Sequence, residues 1–211
     1  MAFDPPDLQF FWRLLTRLGE MQILLPAALL VMLALSRRPD ARALAFRWLA
    51  CLALAALATL ASKVAFIGWG LGSAAHDFTG ISGHAMFAAA VYPILLGALA
   101  ARWPPPAQRI ALAGGFALAL AVGFSRLQVG AHSNSEVLAG LLLGGAASLT
   151  AIAGASLPRL ALGSSLSALV VVWVLLSPVH IPPLPTHSAV TLLALTLSGH
   201  AAPYTRRGTN H

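Results

Sequence analysis

Charge is what this sequence lacks. Only 9% of its 211 residues are charged, and 6 acidic residues stand against 13 lysines and arginines. Soluble domains carry about 25% charged residues. A chain that is 58% hydrophobic, with a mean hydropathy of +0.81, has too little polar surface to stay in water. Cysteine is nearly absent as well. The one thiol, Cys51, lies inside an apolar run, which excludes a disulfide within the chain and reads as a small buried hydrophobe. The net charge of +7 does not point to nucleic acid. The basic residues are scattered through short loops, with no basic face and no interleaved aromatics. Nor is a metal site expected. His180, His187 and His200 fit no compact zinc spacing, and no cysteine supports them.

What is present is a series of apolar runs with the charges between them, the pattern of a polytopic membrane protein. Residues 8–18 (LQFFWRLLTRL) suit an amphipathic helix lying at the interface. Spans are predicted over residues 20–35, 43–62, 84–101, 109–124, 136–153 and 160–176. Several are shorter than the ~20 residues of a perpendicular crossing, so flanking residues must extend them or the bilayer must thin. Residues 21–35 have the look of a signal-peptide core, but Arg37 and Arg38 follow at once, and the segment reads as a retained first span. Residues 63–83 are glycine-rich and read as a loop over the membrane. Residues 188–201 form either a short seventh span or a helix packed at the surface.

The expectation is therefore an all-α transmembrane helical bundle, with an interfacial segment at 1–19, a membrane domain at 20–201 and a polar tail at 202–211. Gly140 and Gly144 form a G-x-x-x-G pair that lets helices approach closely. Packing within one chain is the expected use, with a homodimer seam as the alternative.

Parity sets the orientation. Lys63, His84, Arg126, His132 and Glu136 fall at the same ends of the spans. The opposite ends carry Arg37, Arg38, Arg42, Arg47, Arg102, Arg109 and Arg159. The positive-inside rule puts those arginines in the cytoplasm, and a site on the other face would open to the periplasm of a bacterial inner membrane.

Ionisable residues at a membrane edge are functional candidates. Two segments bring them together: Gly80-Ile81-Ser82-Gly83-His84, and the stretch from Ser125-Arg126 through His132 to Glu136. Phosphoryl transfer needs cations for the phosphate, which Arg126 and Lys63 supply. Free amides at a helix N-terminus help, and Ser82-Gly83 opens the third span. His132 is a nucleophile if its far nitrogen is held by an acceptor. Glu136, four residues on, shares its face if the stretch is helical. His84 would protonate the leaving oxygen. Ser133-x-x-Glu136 is also a capping box, so Glu136 has a second employment in view.

The pattern S-R-x5-H-x3-acid after an upstream S-G-H, each between spans, resembles the type-2 phosphatidic acid phosphatase family, relatives of the vanadium haloperoxidases. The resemblance covers roughly residues 8–155, including Leu18-Gly19-Glu20 at the entry to the first span. It implies a helical core, no metal or other cofactor, and a phosphohistidine intermediate. It implies His132 as nucleophile, Glu136 as its partner and His84 as general acid, with Lys63, Ser82, Gly83 and Arg126 as phosphate ligands.

The sequence departs from the family in three places. Its first motif, K-x6-R-P, keeps Lys63 but has Gly70 and Leu71 for Arg-Pro. Ile81 replaces the proline before S-G-H, and Glu136 replaces the commoner Asp. His76 or another basic group from the termini is the candidate to stand in for the missing arginine. The expected activity is hydrolysis of a lipid phosphate or diphosphate in contact with membrane lipids. Transfer of the same phosphoryl group to an acceptor, or a non-catalytic lipid-binding or transport role, are the alternatives.

Overall fold

The structure, a computed structural model, describes residues 6–153 and 162–206. Arg159, the start of the sixth predicted span, residues 1–5 and residues 207–211 lie outside them. The described residues form eight α-helices and one short 3-10 turn. They are α1 (Pro6–Arg17), α2 (Met21–Ser36), α3 (Arg42–Trp69), α4 (Gly83–Leu99), α5 (Pro105–Gln128), α6 (Asn134–Ile152), α7 (Ser164–His180) and α8 (Thr186–Ser198), with the 3-10 turn at Ala74–His76. The architecture is an all-α bundle, and the chain is an integral membrane protein.

Among the described residues, four stretches are long and apolar enough to cross a bilayer: Leu8–Ser36, Arg42–Trp69, Pro105–Gln128 and Asn134–Ile152. The helices α4 and α7 are shorter, at 17 residues each. Both still run from one end of the bundle to the other. At its far end α7 meets Arg102, whose Nη1 donates to Ser164 Oγ at 3.5 Å. At its near end Arg17 donates to the carbonyls of Pro178 and Ile181. The second predicted span is extended by the structure at its C-terminal end. It continues to Trp69, so Lys63 stands on a helix and not on the loop.

Apolar residues surround α4 on all sides, which is the signature of a central helix. Thirteen of its residues are buried, from Ala85 to Ala98. Its neighbours come close where their residues are small. A Cβ on Gly140 would lie 2.5 Å from the Ser82 carbonyl oxygen, and one on Gly144 would lie 2.1 Å from that of Met86. The G-x-x-x-G pair is thus spent on the α4–α6 seam within the chain. Gly115 plays the same part for α5, 2.5 Å from Pro93 Cα. Outward-facing leucines such as Leu54, Leu120 and Leu142 are exposed and form the surface that lipid covers.

The helix α8 does not cross. Residues just before it are tied to the α1–α2 junction, where Leu184 N donates to Gln22 Oε1 at 2.9 Å. Residues just after it are tied to the end of α3, where His200 Nδ1 lies 2.7 Å from the Gly68 carbonyl. Both ends therefore sit on one side of the bundle. Thirteen residues reach only about 20 Å, short of the ~30 Å hydrocarbon core. This decides for a packed helix over a seventh span.

Candidate active site

The connection between α5 and α6 is short. Gly130 adopts a left-handed φ of +66°, which turns the chain at the end of α5. Ala131 N then donates to Arg126 O at 3.0 Å. Ser133 caps α6. Its hydroxyl accepts from Glu136 N, and the Glu136 carboxylate reaches back to Ser133 N at 3.2 Å. This capping box fixes where the carboxylate lies. His132, one residue before the cap, meets it there: His132 Nδ1 is 2.7 Å from Glu136 Oε2. The two uses of Glu136 weighed from the sequence coexist.

A carboxylate only accepts, so Nδ1 carries the proton and Nε2 keeps its lone pair. Burial holds His132 below the ordinary histidine range, with Lys63 and Arg126 adding to the effect against the pull of Glu136. The ring is thus neutral near pH 7, as a nucleophile must be. Glu136 itself is fully buried. Thr79 gives its other oxygen two bonds, from N at 2.7 Å and from Oγ1 at 2.5 Å.

Opposite this pair lies the start of α4. Ser82 stands at the N-cap without a side-chain cap bond. Its own N–H donates to Glu136 O at 3.1 Å, which ties the starts of α4 and α6 together. The first amides of a helix have no intrahelical partner, so those of Gly83, His84 and Ala85 are available to an anion. No protein atom requires glycine at 83, since a Cβ there would find only Thr59 Cγ2 at 3.8 Å. His84 lies under the α1–α2 junction. A Cβ on Gly19 would fall 2.9 Å from His84 Cβ, so glycine is what allows that approach.

The cations come from the ends of α3 and α5. Arg126 donates through Nη1 to Thr16 Oγ1 at 2.9 Å. Its Nε is buried without a partner, as is Ser82 Oγ. Buried donors left over in this way are what an anion site looks like before its ligand is counted. Lys63 is crossed by Gly80, whose φ of +142° favours glycine and where an added Cβ would fall 3.0 Å from Lys63 Cγ.

Lys63, Gly83, His84, Arg126, His132 and Glu136 line one cavity of about 1320 Å³. Ser82 lies buried behind its wall. The cavity has a polar end at these residues and an apolar arm between α3 and α8, past Leu57, Leu60, Val190 and Leu195. His187 also borders it. His76 does not. Its ring pairs with Ser73 Oγ at 2.9 Å, so it does not stand in for the missing arginine.

Sequence reasoning missed Thr79 and Thr16, and it named no residue for the basic group it looked for in the termini, where Arg206 lies. Neither threonine carries a spacing signal. Residues 202–211 were set apart as a polar tail, yet Pro203, Tyr204, Thr205 and Arg206 border the cavity. The hint available was the gap at Gly70. That glycine ends α3 with a left-handed φ of +70°, and a Cβ on it would sit 2.9 Å from the Tyr204 ring. The tail occupies the space beside the position where the family has its arginine.

An all-α membrane bundle holding a carboxylate-bound histidine, a second histidine and two cations defines a histidine-centred anion site. The sequence profile of the PAP2 superfamily matches residues 65–157, which supports membership of that family. The match contains His84, Arg126, His132 and Glu136, while Lys63 lies just before it. A Klebsiella pneumoniae protein, described as an uncharacterized 22.5 kDa protein in cps region, is 44% identical over 137 residues, 65% of this chain. The match spans 66% of that relative, just under two thirds of its length. No solved structure matches the chain.

Proposed function

We propose that this protein is a membrane phosphatase that hydrolyses a lipid-linked phosphate or diphosphate through a phosphohistidine on His132. The observation that carries the reading is the 2.7 Å contact of His132 Nδ1 with the buried Glu136 carboxylate. It leaves Nε2 as the nucleophile at the polar end of the cavity. PAP2 superfamily members are phosphatases, which supports the same reaction class.

In the first step Nε2 forms a bond to phosphorus as the bond to the leaving oxygen breaks. The electron pair goes to that oxygen, which takes a proton from His84. Arg126, Lys63 and the first amides of α4 bear the negative charge on the remaining phosphate oxygens. In the second step a water oxygen attacks phosphorus and gives its proton to His84. The P–N pair returns to His132. Glu136 holds the imidazole in one tautomer and balances its charge while it is phosphorylated.

The apolar arm of the cavity supports a substrate with a hydrocarbon chain. The arginine-rich opposite ends support a site that faces the periplasm from a bacterial inner membrane. Purified protein in detergent is expected to release phosphate from phosphatidic acid, phosphatidylglycerophosphate or a polyprenyl diphosphate. His132→Ala abolishes that release. Turnover that survives this substitution would sink the mechanism. Phosphate appearing on an added acceptor lipid, instead of in solution, would mark a transferase.

A further inference from the structure

We propose that Arg206, carried in by the chain after α8, is a positioning residue of the catalytic centre that holds the Glu136 carboxylate in place against His132. The inference rests on the phosphatase reading for its kinetic consequence, but not for its geometry. Arg206 Nη2 lies 3.0 Å from Glu136 Oε2 and 3.1 Å from Oε1, so it bridges the two oxygens. The same carboxylate already receives His132 and Thr79. Arg206 adds to these bonds without displacing His132.

The guanidinium is itself held from outside. Its Nη1 lies 2.8 Å from Asp77 Oδ2, and Nη2 lies 3.4 Å from Thr79 Oγ1. Asp77 sits at a left-handed φ of +47°, on the loop that also carries Thr79. One arginine of the strap therefore joins that loop to α6, at a sequence separation of 70 from Glu136.

The strap that delivers Arg206 is docked. Tyr204 N donates to Ile67 O at 2.9 Å. The Tyr204 ring covers Gly70 and meets His200 edge to face at 5.8 Å. An arginine at position 70 would collide with that ring. The fold thus gives up a cation on the end of α3 and receives one from the strap. The new cation reaches the carboxylate, not the helix end it covers. Arg206 is 43% exposed by its side chain and Glu136 is not exposed at all, so the pair sits where the site meets solvent.

A positioning role predicts a particular split. Arg206→Ala lowers kcat by about 10–100-fold, the usual cost of losing a group that orients a catalytic side chain, and changes KM little. Arg206→Lys keeps the charge and recovers part of the loss. Unchanged kcat in Arg206→Ala overturns the inference. So does a rise in KM at constant kcat, because that is what a direct phosphate ligand would give.

A second readout needs no turnover. The charged groups facing the His132–Glu136 pair are Lys63, Asp77, His84, Arg126 and Arg206. Removing the Arg206 cation makes the carboxylate a better partner for imidazolium. In histidine-labelled protein, NMR titration of His132 should move to higher pH in Arg206→Ala and return in Arg206→Lys. A titration that does not move sinks the inference. If the titration moves while wild-type protein hydrolyses no lipid phosphate, the positioning role stands and the phosphatase reading falls.

Discussion

The two halves of the site are built in opposite ways. One half comes from twelve consecutive residues, Ser125 to Glu136, at the α5–α6 connection. There the spacing alone brings Arg126, His132 and Glu136 together, because a capping box and a left-handed glycine leave the chain one path. The other half is gathered from three places: the end of α3, the 70–83 loop leading into α4, and the strap after α8. Lys63, Thr79, His84 and Arg206 meet only through tertiary packing. In the proposed mechanism the local half carries the nucleophile, His132. The gathered half carries the proposed proton donor, His84, and Thr79 and Arg206, which bond the Glu136 carboxylate. Where the family pattern has an arginine, this chain has Gly70 beneath the Tyr204 ring, and the same strap brings Arg206 to the Glu136 carboxylate.

The largest test of this division lies across it. His84→Ala removes the proposed general acid without touching the His132–Glu136 contact. The turnover number is expected to fall about 10²–10⁴-fold, the usual worth of a positioned proton donor. A substrate with a better leaving group should recover much of that loss, since it needs less help from a proton. If both leaving groups suffer equally, His84 serves binding and the proton must come from elsewhere.

Arg126 tests the local half. Its buried, unpartnered Nε is the observation that assigns it to the anion. Arg126→Gln keeps a polar group near the Nε position but loses the charge and the outer guanidinium. A charge-assisted bond contributes about 1.5–3 kcal/mol, so kcat/KM should fall about 10–150-fold. The loss should appear together with weaker inhibition by inorganic phosphate. Unchanged phosphate inhibition would remove Arg126 from the cradle.

What was legible in the sequence follows the same division. The local half could be read because i, i+4 on a helix is a fixed distance, and His132 and Glu136 obey it. The bundle could be read because apolar runs report the bilayer directly. The short α8 could not be assigned from composition. Its place depends on bonds to Gln22 and Gly68, which no local pattern encodes. Thr79 and Arg206 were illegible for a related reason. Each acts through a contact 57 or more residues away, and threonine and arginine near a chain end are common surface residues. Only the glycine at 70, read as a missing cation, pointed toward the compensation, and it did not say where the replacement would attach.

The smallest expected effect discriminates most finely between the halves. Thr79 gives Glu136 two bonds, and only one of them depends on its side chain. In Thr79→Val the hydroxyl bond is lost, while the backbone amide, His132, Ser133 and Arg206 still hold the carboxylate. The full worth of a hydrogen bond to a charged group is about 1.5–3 kcal/mol, but shared support should limit the fall in kcat to about tenfold. Thr79→Ser restores the hydroxyl and should restore the rate. The coupling is the sharper reading. If Thr79 and Arg206 hold the same carboxylate, combining Thr79→Val with Arg206→Ala should cost more than the sum of the two, because each single variant leans on the other's contact. Strict additivity would mean that the carboxylate is positioned by the capping box alone, and that the gathered half serves only to close the cavity.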